Sequence, residues 1–266
     1  FKGEKYNSYL DFYTTIFTTT VYPDGNLSWH HLWFIAYLFV FSIIAIPIIL
    51  FFKSKTGNLL INKAADFSNK FGLISFGVIL FLASFLYYWF PNETHAFVDD
   101  WAGFTRYFLY FIFGAFIGIN SVFWKNLEKN RQRNLKIAFF CTILTNYIRW
   151  NDLEPFWSIN INSILFSALL AINAWFWVIA ILGYSKRYLN FNNKLLQFSN
   201  EAIYPFYILH QTFIVIISYY VIQTNDDILS KFIFISFVSF ILSVGFYIFL
   251  IRPFKITRFM FGMKVK

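Results

Sequence analysis

Trp29-His30-His31-Leu32-Trp33-Phe34 leads directly into an almost unbroken apolar run from Ile35 to Phe52. Before it, Pro23, Asp24, Gly25 and Asn26 interrupt a polar stretch. The run is long enough to cross a hydrocarbon core, which takes roughly 20 apolar residues for about 30 Å. Tryptophan suits the boundary because its ring is apolar and its N–H needs a wet partner. Histidine has no such preference and titrates near neutral pH. A histidine pair at this boundary is therefore the first place to look for chemistry.

Composition extends that reading to the whole chain. Of 266 residues, 58% are hydrophobic and 13% charged, whereas soluble domains are about 25% charged. Phe occurs 39 times, and Phe, Trp and Tyr together make up 24%. Lipid can accept that much aromatic surface and a soluble core cannot, so the chain is read as an integral membrane protein. Cys141 is the only cysteine, which excludes an intramolecular disulfide. In its apolar run it reads as a buried bystander. The net charge of +9 is explained by membrane flanks and does not call for nucleic acid. The start at Phe1, within a loop and without an initiator Met, points to a piece of a longer chain.

Seven apolar segments are candidate spans: Leu32–Phe52, Gly72–Phe90, Trp101–Val122, Leu135–Ile148, Ile161–Gly183, Ala202–Ile222 and Leu229–Ile251. All are expected to be helices, since lipid leaves an open backbone no other way to satisfy its polar groups. The fourth is short and carries Thr142, Thr145 and Asn146, which suits the bundle interior better than lipid. Basic residues alternate sides. One set of loops holds Lys53 to Lys70, Lys125 to Lys136, Lys186 to Lys194 and the tail from Arg252. The other set holds only Lys2, Lys5, Arg149 and Lys231. By the positive-inside rule the N-terminus is outside and the C-terminus cytoplasmic. No linker or internal repeat divides the chain, so residues 1–266 are read as one membrane domain. In the inner loop before the sixth span, Ser199 or Asn200 is expected to cap the helix, with Pro205 in its first turns.

Several residues can carry chemistry in that topology. His31 shares a helical face with Ile35 and Leu38 at the outer boundary. His210 lies roughly 12 Å into the sixth span at 1.5 Å per residue. An ionisable group at that depth is costly and should face the bundle or a wet cavity. Tyr207, three residues earlier, can meet it. Arg106, about one turn into the third span, can snorkel outward or bind an anionic group. Asp99, Asp100 and Trp101 just before it resemble the mixture of carboxylate and aromatic face that binds sugars. Gly114 and Gly118 form a GxxxG, read as close helix packing. Asn173 and His95 have no assigned role. The sequence has no CxxC, no HExxH and no glycine-rich phosphate loop, so no metal site or nucleotide hydrolysis is expected.

Three motifs in order carry a resemblance. His31-Leu32-Trp33-Phe34 entering a span looks like an HLWF-type motif. Phe108 to Ala115 is similar to an FFxxGA stretch, and Tyr207-Ile208-Leu209-His210 looks like a YLxH-type motif in the penultimate span. Together the chain resembles the membrane-bound acyltransferase family 3, and within it the glucan biosynthesis protein C group of succinyltransferases. The resemblance implies a multi-pass protein of the bacterial inner membrane. It implies transfer of an acetyl or succinyl group from acyl-CoA, used as a substrate with no tightly bound cofactor, to a hydroxyl of a cell-envelope carbohydrate. On that reading His210 and His31 are the expected catalytic residues, and Trp33, Tyr207, Arg106, Asp100 and Trp101 the expected substrate contacts. A transporter or flippase for a glycan or lipid-linked sugar is the alternative. The family's first span carries an essential histidine with a nearby Arg-x-x-Arg, and nothing here matches either. The chain is therefore expected to be a C-terminal portion that is inactive alone.

Overall fold

The computed structural model describes residues 8–18, 30–97, 99–155 and 159–264, and among these the chain is helical without strands. It packs as two compact units, residues 1–190 and 191–266. Trp29 and the polar stretch before it lie outside the described residues.

Unit 1 begins with a short helix α1 (Tyr9–Thr18). A single 3-10 turn (His30–Leu32) then leads into α2 (Trp33–Lys53). His31 therefore precedes the α-helix on which the sequence places it. The lysine-rich segment after α2, expected to be a loop, is an amphipathic helix α3 (Lys55–Phe71) that buries Gly57, Ile61, Ala65 and Ser68 along one face. It is capped by Ser54, whose Oγ accepts from the Gly57 N–H at 3.2 Å. At Gly72 the chain turns by 102° into α4 (Ile74–Ser84), which tightens into a 3-10 turn (Phe85–Tyr88). Gly72 has φ +76°, a conformation that glycine adopts at no steric cost. At the break the Ser68 carbonyl accepts the Gly72 N–H (2.7 Å), and side chains from other helices add bonds to the carbonyls there. Trp175 Nε1–H donates to the Leu73 carbonyl at 2.7 Å, and Asn126 Nδ2–H donates to that of Ser68. A buried carbonyl left unpaired would cost about 1–3 kcal/mol.

Helix α5 (Trp101–Ile119) ends at Asn120, which alone separates it from α6 (Ser121–Trp150). Asn120 Oδ1 accepts from the Val122 N–H at 2.8 Å, so one residue stops the first helix and caps the second. α6 absorbs both the expected basic loop and the expected fourth span into one uninterrupted helix of 30 residues, roughly 45 Å at 1.5 Å per residue. Arg133, Lys136 and Arg149 leave too short an apolar stretch for that span to stand apart. Among the described residues five helices are long and apolar enough to cross a membrane, and a sixth span results if the bent α3–α4 pair counts as one. The all-α polytopic bundle read from the sequence is thus present, with spans partitioned differently.

α6 returns against α7 (Ile161–Tyr188). A Cβ at Gly183 would overlap the Leu127 carbonyl, so glycine permits the close approach. Farther along the same seam Thr142 Oγ1–H donates to Asn173 Oδ1 (2.9 Å) and accepts from Trp177 Nε1–H (2.8 Å). Thr142 and the buried Thr145 thus turn inward, as their polarity suggests, and Asn173 gains a partner. Gly114 and Gly118 are different: a Cβ at either meets nothing within 4 Å, so their GxxxG serves no close packing among the described residues. The core of the unit is aromatic. Phe76 stacks on Phe113 (4.5 Å, 11°), and Trp175 meets both edge-on.

Unit 2 is a hairpin of α8 (Lys194–Val221) and α9 (Ile228–Phe246), with a π-turn (Tyr247–Ile251) and a short α10 (Lys255–Met260). α8 starts earlier than the sequence suggests. Asn193 is its cap, accepting from the Leu196 N–H at 2.7 Å, so Pro205 stands inside the helix and not in its first turns. Asp227 caps α9, and bonds from the Ser230 hydroxyl (2.7 Å) and N–H (3.0 Å) hold its carboxyl below the usual range. The buried Arg258 is held by Glu201 Oε1 (2.8 Å) and the Lys264 carbonyl.

Candidate active site

In unit 1 the first turn of α2, the loop 89–100 and the first turns of α5 bring polar and aromatic side chains together. Trp33 and Tyr37 are one helical turn apart and share a face of α2, with their rings edge-on at 5.4 Å. Tyr37 Oη–H donates to Asp100 Oδ2 at 2.8 Å. On the other side of the same oxygen, His95 Nδ1 lies at 3.4 Å. The His95 ring rests on Trp33, centroids 3.9 Å apart.

Asp100 occupies the N-cap position of α5 but makes no side-chain cap bond. Its carboxylate turns instead to Tyr37 and His95, and it is 0% exposed. The missing cap forgoes about 0.5–2 kcal/mol, while the helix's positive end still favours a carboxylate there. Gly103 makes room for it, since a Cβ at that position would lie 2.5 Å from Oδ1. The loop holds His95 and Phe97 at φ +58° and +67°. Such conformations cost of order 1–3 kcal/mol for residues other than glycine and cluster at functional sites. Full burial departs from the sugar-contacting loop expected of Asp100: no ligand in water can reach it without displacing Tyr37 or His95.

Beside this group lies a second one. Arg106 Nη2 pairs with Glu93 Oε1 at 2.8 Å and donates to Tyr107 Oη at 3.0 Å. Its guanidinium lies over the rings of Tyr87 and Tyr107. Tyr87 and Tyr107 each donate to Glu93, at 2.5 and 3.3 Å. Arg106 thus neither snorkels freely nor waits for an external anion, because Glu93 supplies the negative charge. Tyr107 joins the two groups, with its ring 5.2 Å from Trp33.

Glu93, Arg106 and Tyr87 line one part of a cavity of about 470 Å3. Its remaining walls come from α4, α5 and α7, including Leu80, Tyr110, Leu170 and Ala174. The buried Ser167 hydroxyl also lines it and has no hydrogen-bond partner among the described residues. A largely apolar pocket of this size with a few convergent polar groups is the usual form of a small-molecule site.

Of the residues expected from sequence, Trp33, Asp100 and Arg106 belong to this assembly. Trp101 is 48% exposed and packs edge-on to Phe104, away from the ion pairs. His31 is half-buried in its 3-10 turn. His210 and Tyr207 lie in unit 2, on α8. There the His210 Nδ1 approaches the carbonyls of Phe206 (3.2 Å) and Tyr207 (2.7 Å). A carbonyl only accepts, so Nδ1 carries the proton and Nε2 is the basic nitrogen of the neutral ring. His210 therefore meets Tyr207 through the backbone, and their rings are tilted at 5.6 Å. Tyr37, Tyr87, Glu93 and Tyr107 are the members that sequence reading passed over. Only the Trp33–Tyr37 spacing was a usable signal. Among the described residues no group of His, Cys, Asp and Glu is arranged to hold a metal.

The family model described as Acyltransferase domain matches residues 2–250, spanning both units. The chain belongs to acyltransferase family 3. No curated protein and no solved structure matches it. Family 3 membership together with the apolar helices makes it a multi-pass membrane acyltransferase.

Proposed function

We propose that this family 3 protein moves an acetyl or succinyl group from acyl-CoA to a hydroxyl of a cell-envelope carbohydrate, in the inner membrane of a bacterium. The observation that carries the reading is the Arg106–Glu93 pair, flanked by Tyr87 and Tyr107, on the wall of an apolar cavity. A carboxylate that accepts and a guanidinium that donates suit a sugar's hydroxyls. Tyrosine rings offer its apolar face a surface, and the cavity has room for a short acyl group. The distribution of Lys and Arg supports an acceptor arriving from outside and CoA from the cytoplasm. On this reading His31 lies at the acceptor's side of unit 1, and His210 serves the reaction from unit 2.

Two measurements test this reading. In intact cells an impermeant thiol reagent is expected to label Asp99→Cys and to spare Lys129→Cys, and the reverse pattern overturns the orientation. With full-length protein in membrane vesicles, labelled acyl-CoA is expected to acylate an added glucan. Glu93→Gln is expected to raise the glucan concentration needed for half-maximal rate about tenfold, the worth of one hydrogen bond to a charged group. Carbohydrate crossing the vesicle membrane with no acyl transfer would overturn the enzyme reading in favour of a transporter.

A further inference from the structure

Helix α3 has no part in the acyl-transfer reading, yet its surface is divided into three sectors. Gly57, Ile61, Ala65 and Ser68 face the protein and are buried. Leu60, Ala64, Phe67 and Phe71 follow the spacing i, i+4, i+7, i+11 and form one stripe, about 60–120° to one side of Ile61 at 3.6 residues per turn. All four are exposed, Phe67 by 49% and Phe71 by 48%. The two rings lie 4.6 Å apart and form a continuous apolar flank. The opposite flank is polar, with Asn58, Asn62 and Asn69. There Asn62 Oδ1 accepts from Asn120 Nδ2–H at 3.0 Å. Lys63 and Lys70 stand on the outermost line of the helix, next to the apolar flank, and Lys70 Nζ lies 5.3 Å from the centre of the Phe71 ring. Three lysines face one aspartate along α3, so its outer side is basic. A basic polar side beside a Leu and Phe stripe is the pattern of a helix lying in a membrane interface.

The place of α3 in the fold agrees. α2 runs from Trp33, at the candidate site, to Lys53, and α4 with its 3-10 turn leads back to the loop 89–100 of that site. α3 joins the far ends of these two segments. It is bent by 102° from α4, so a membrane crossed by α2 and by the α4 segment leaves α3 along its surface. The bond to Asn120 brings the end of α5 to the same surface. We infer that α3 is an interfacial helix that binds anionic phospholipid. Leu60, Phe67 and Phe71 enter the boundary of the acyl chains, and Lys63 and Lys70 take the phosphates of the headgroups. Lysine suits that position because its stem lies along apolar surface while the ammonium stays at the level of the phosphate. Charge complementarity selects an anionic headgroup over a zwitterionic one. The bent pair is then a surface helix followed by an apolar segment, not one broken span. This inference stands apart from the acyl-transfer reading and does not depend on it.

The test is quenching of a dye on single cysteines, in full-length protein carrying Cys141→Ala and reconstituted in vesicles of phosphatidylcholine and phosphatidylglycerol. Should that background accumulate poorly, Cys141 is kept and its signal subtracted. Dye at Leu60→Cys and Phe67→Cys is expected to be quenched by lipids brominated near the headgroup end of the chain and spared by aqueous acrylamide. Dye at Asn58→Cys and Asn69→Cys is expected to show the reverse. At Phe67→Cys, brominated phosphatidylglycerol is expected to be enriched over brominated phosphatidylcholine about fivefold, the worth of one lysine at an anionic surface. Lys63→Gln combined with Lys70→Gln is expected to remove that preference. Acrylamide reaching both flanks alike would overturn the inference and leave α3 in water. Stronger quenching by bromines near the chain ends would overturn it in favour of a broken span. Protection of the apolar flank from both quenchers would overturn it in favour of a covering protein surface. Equal quenching by the two headgroups would overturn the assignment to anionic lipid.

Discussion

Two histidines in different units meet the same need in different ways. His210 on α8 points its Nδ1 at carbonyls of its own helix, from Phe206 and Tyr207. His95, on a loop, points its Nδ1 at a carboxylate brought by another element. The first fixes which nitrogen is basic; in the second, Nδ1 lies 3.4 Å from the carboxylate and makes no hydrogen bond among the described residues. Only the second supplies a full negative charge for the imidazolium that a proton transfer creates. A carbonyl dipole orients a neutral ring and does much less to hold a charged one. The sequence favours His210 because it lies in a span; the carboxylate beside His95 is visible only in the structure.

That contrast can be broken by experiment. Asp100→Asn keeps the shape and removes the charge, so the Tyr37 bond loses the advantage of a charged acceptor, about 1.5–3 kcal/mol, expected as a lower thermal midpoint of the purified protein. An unchanged midpoint would reduce the Tyr37–Asp100 contact to packing. Gly103→Ala puts a methyl 2.5 Å from Asp100 Oδ1 and displaces the carboxylate without changing its chemistry. A fall on the order of 10²-fold is expected, as for misplacement by about 1 Å, measured as acyl transfer at saturating glucan. His210→Gln should cost about tenfold, the worth of a neutral hydrogen bond of roughly 1–1.5 kcal/mol. A larger loss there than in Gly103→Ala would reverse the comparison. Trp33→Phe retains a smaller face beneath His95. An aromatic pair is worth about 0.5–1.5 kcal/mol, so a few-fold change in the same assay is expected. Turnover unchanged within error would remove Trp33 from the site.

Span partition shows where sequence reading stops. Apolar length located α2, α5, α7 and α9 within about five residues and found α8 but started it eight residues late, because hydrocarbon solvation depends on local composition. It divided α6 wrongly, because a charged half and an apolar half can share one helix when α7 covers its inner face. It also read α3 as a loop, although Gly57, Ile61, Ala65 and Ser68 mark a helical stripe once their burial is known. The GxxxG in α5 had the right spacing for close packing and no partner across it.

By itself the sequence determined that the chain is an all-helical membrane protein, and its ordered motifs pointed to the family that residues 2–250 match. It also singled out Trp33, Asp100 and Arg106, since unusual residues at the edge of apolar runs are visible locally. Tertiary structure alone decided how they are used. Asp100 was expected to face a sugar and is fully buried between Tyr37 and His95. Arg106 was offered an external anion and finds Glu93. Ion pairs depend on which side chains meet across elements, and on a backbone such as that at His95, held with positive φ by its surroundings. Composition and spacing record solvation along the chain, but the partner of a charge is set by contacts between segments far apart in sequence.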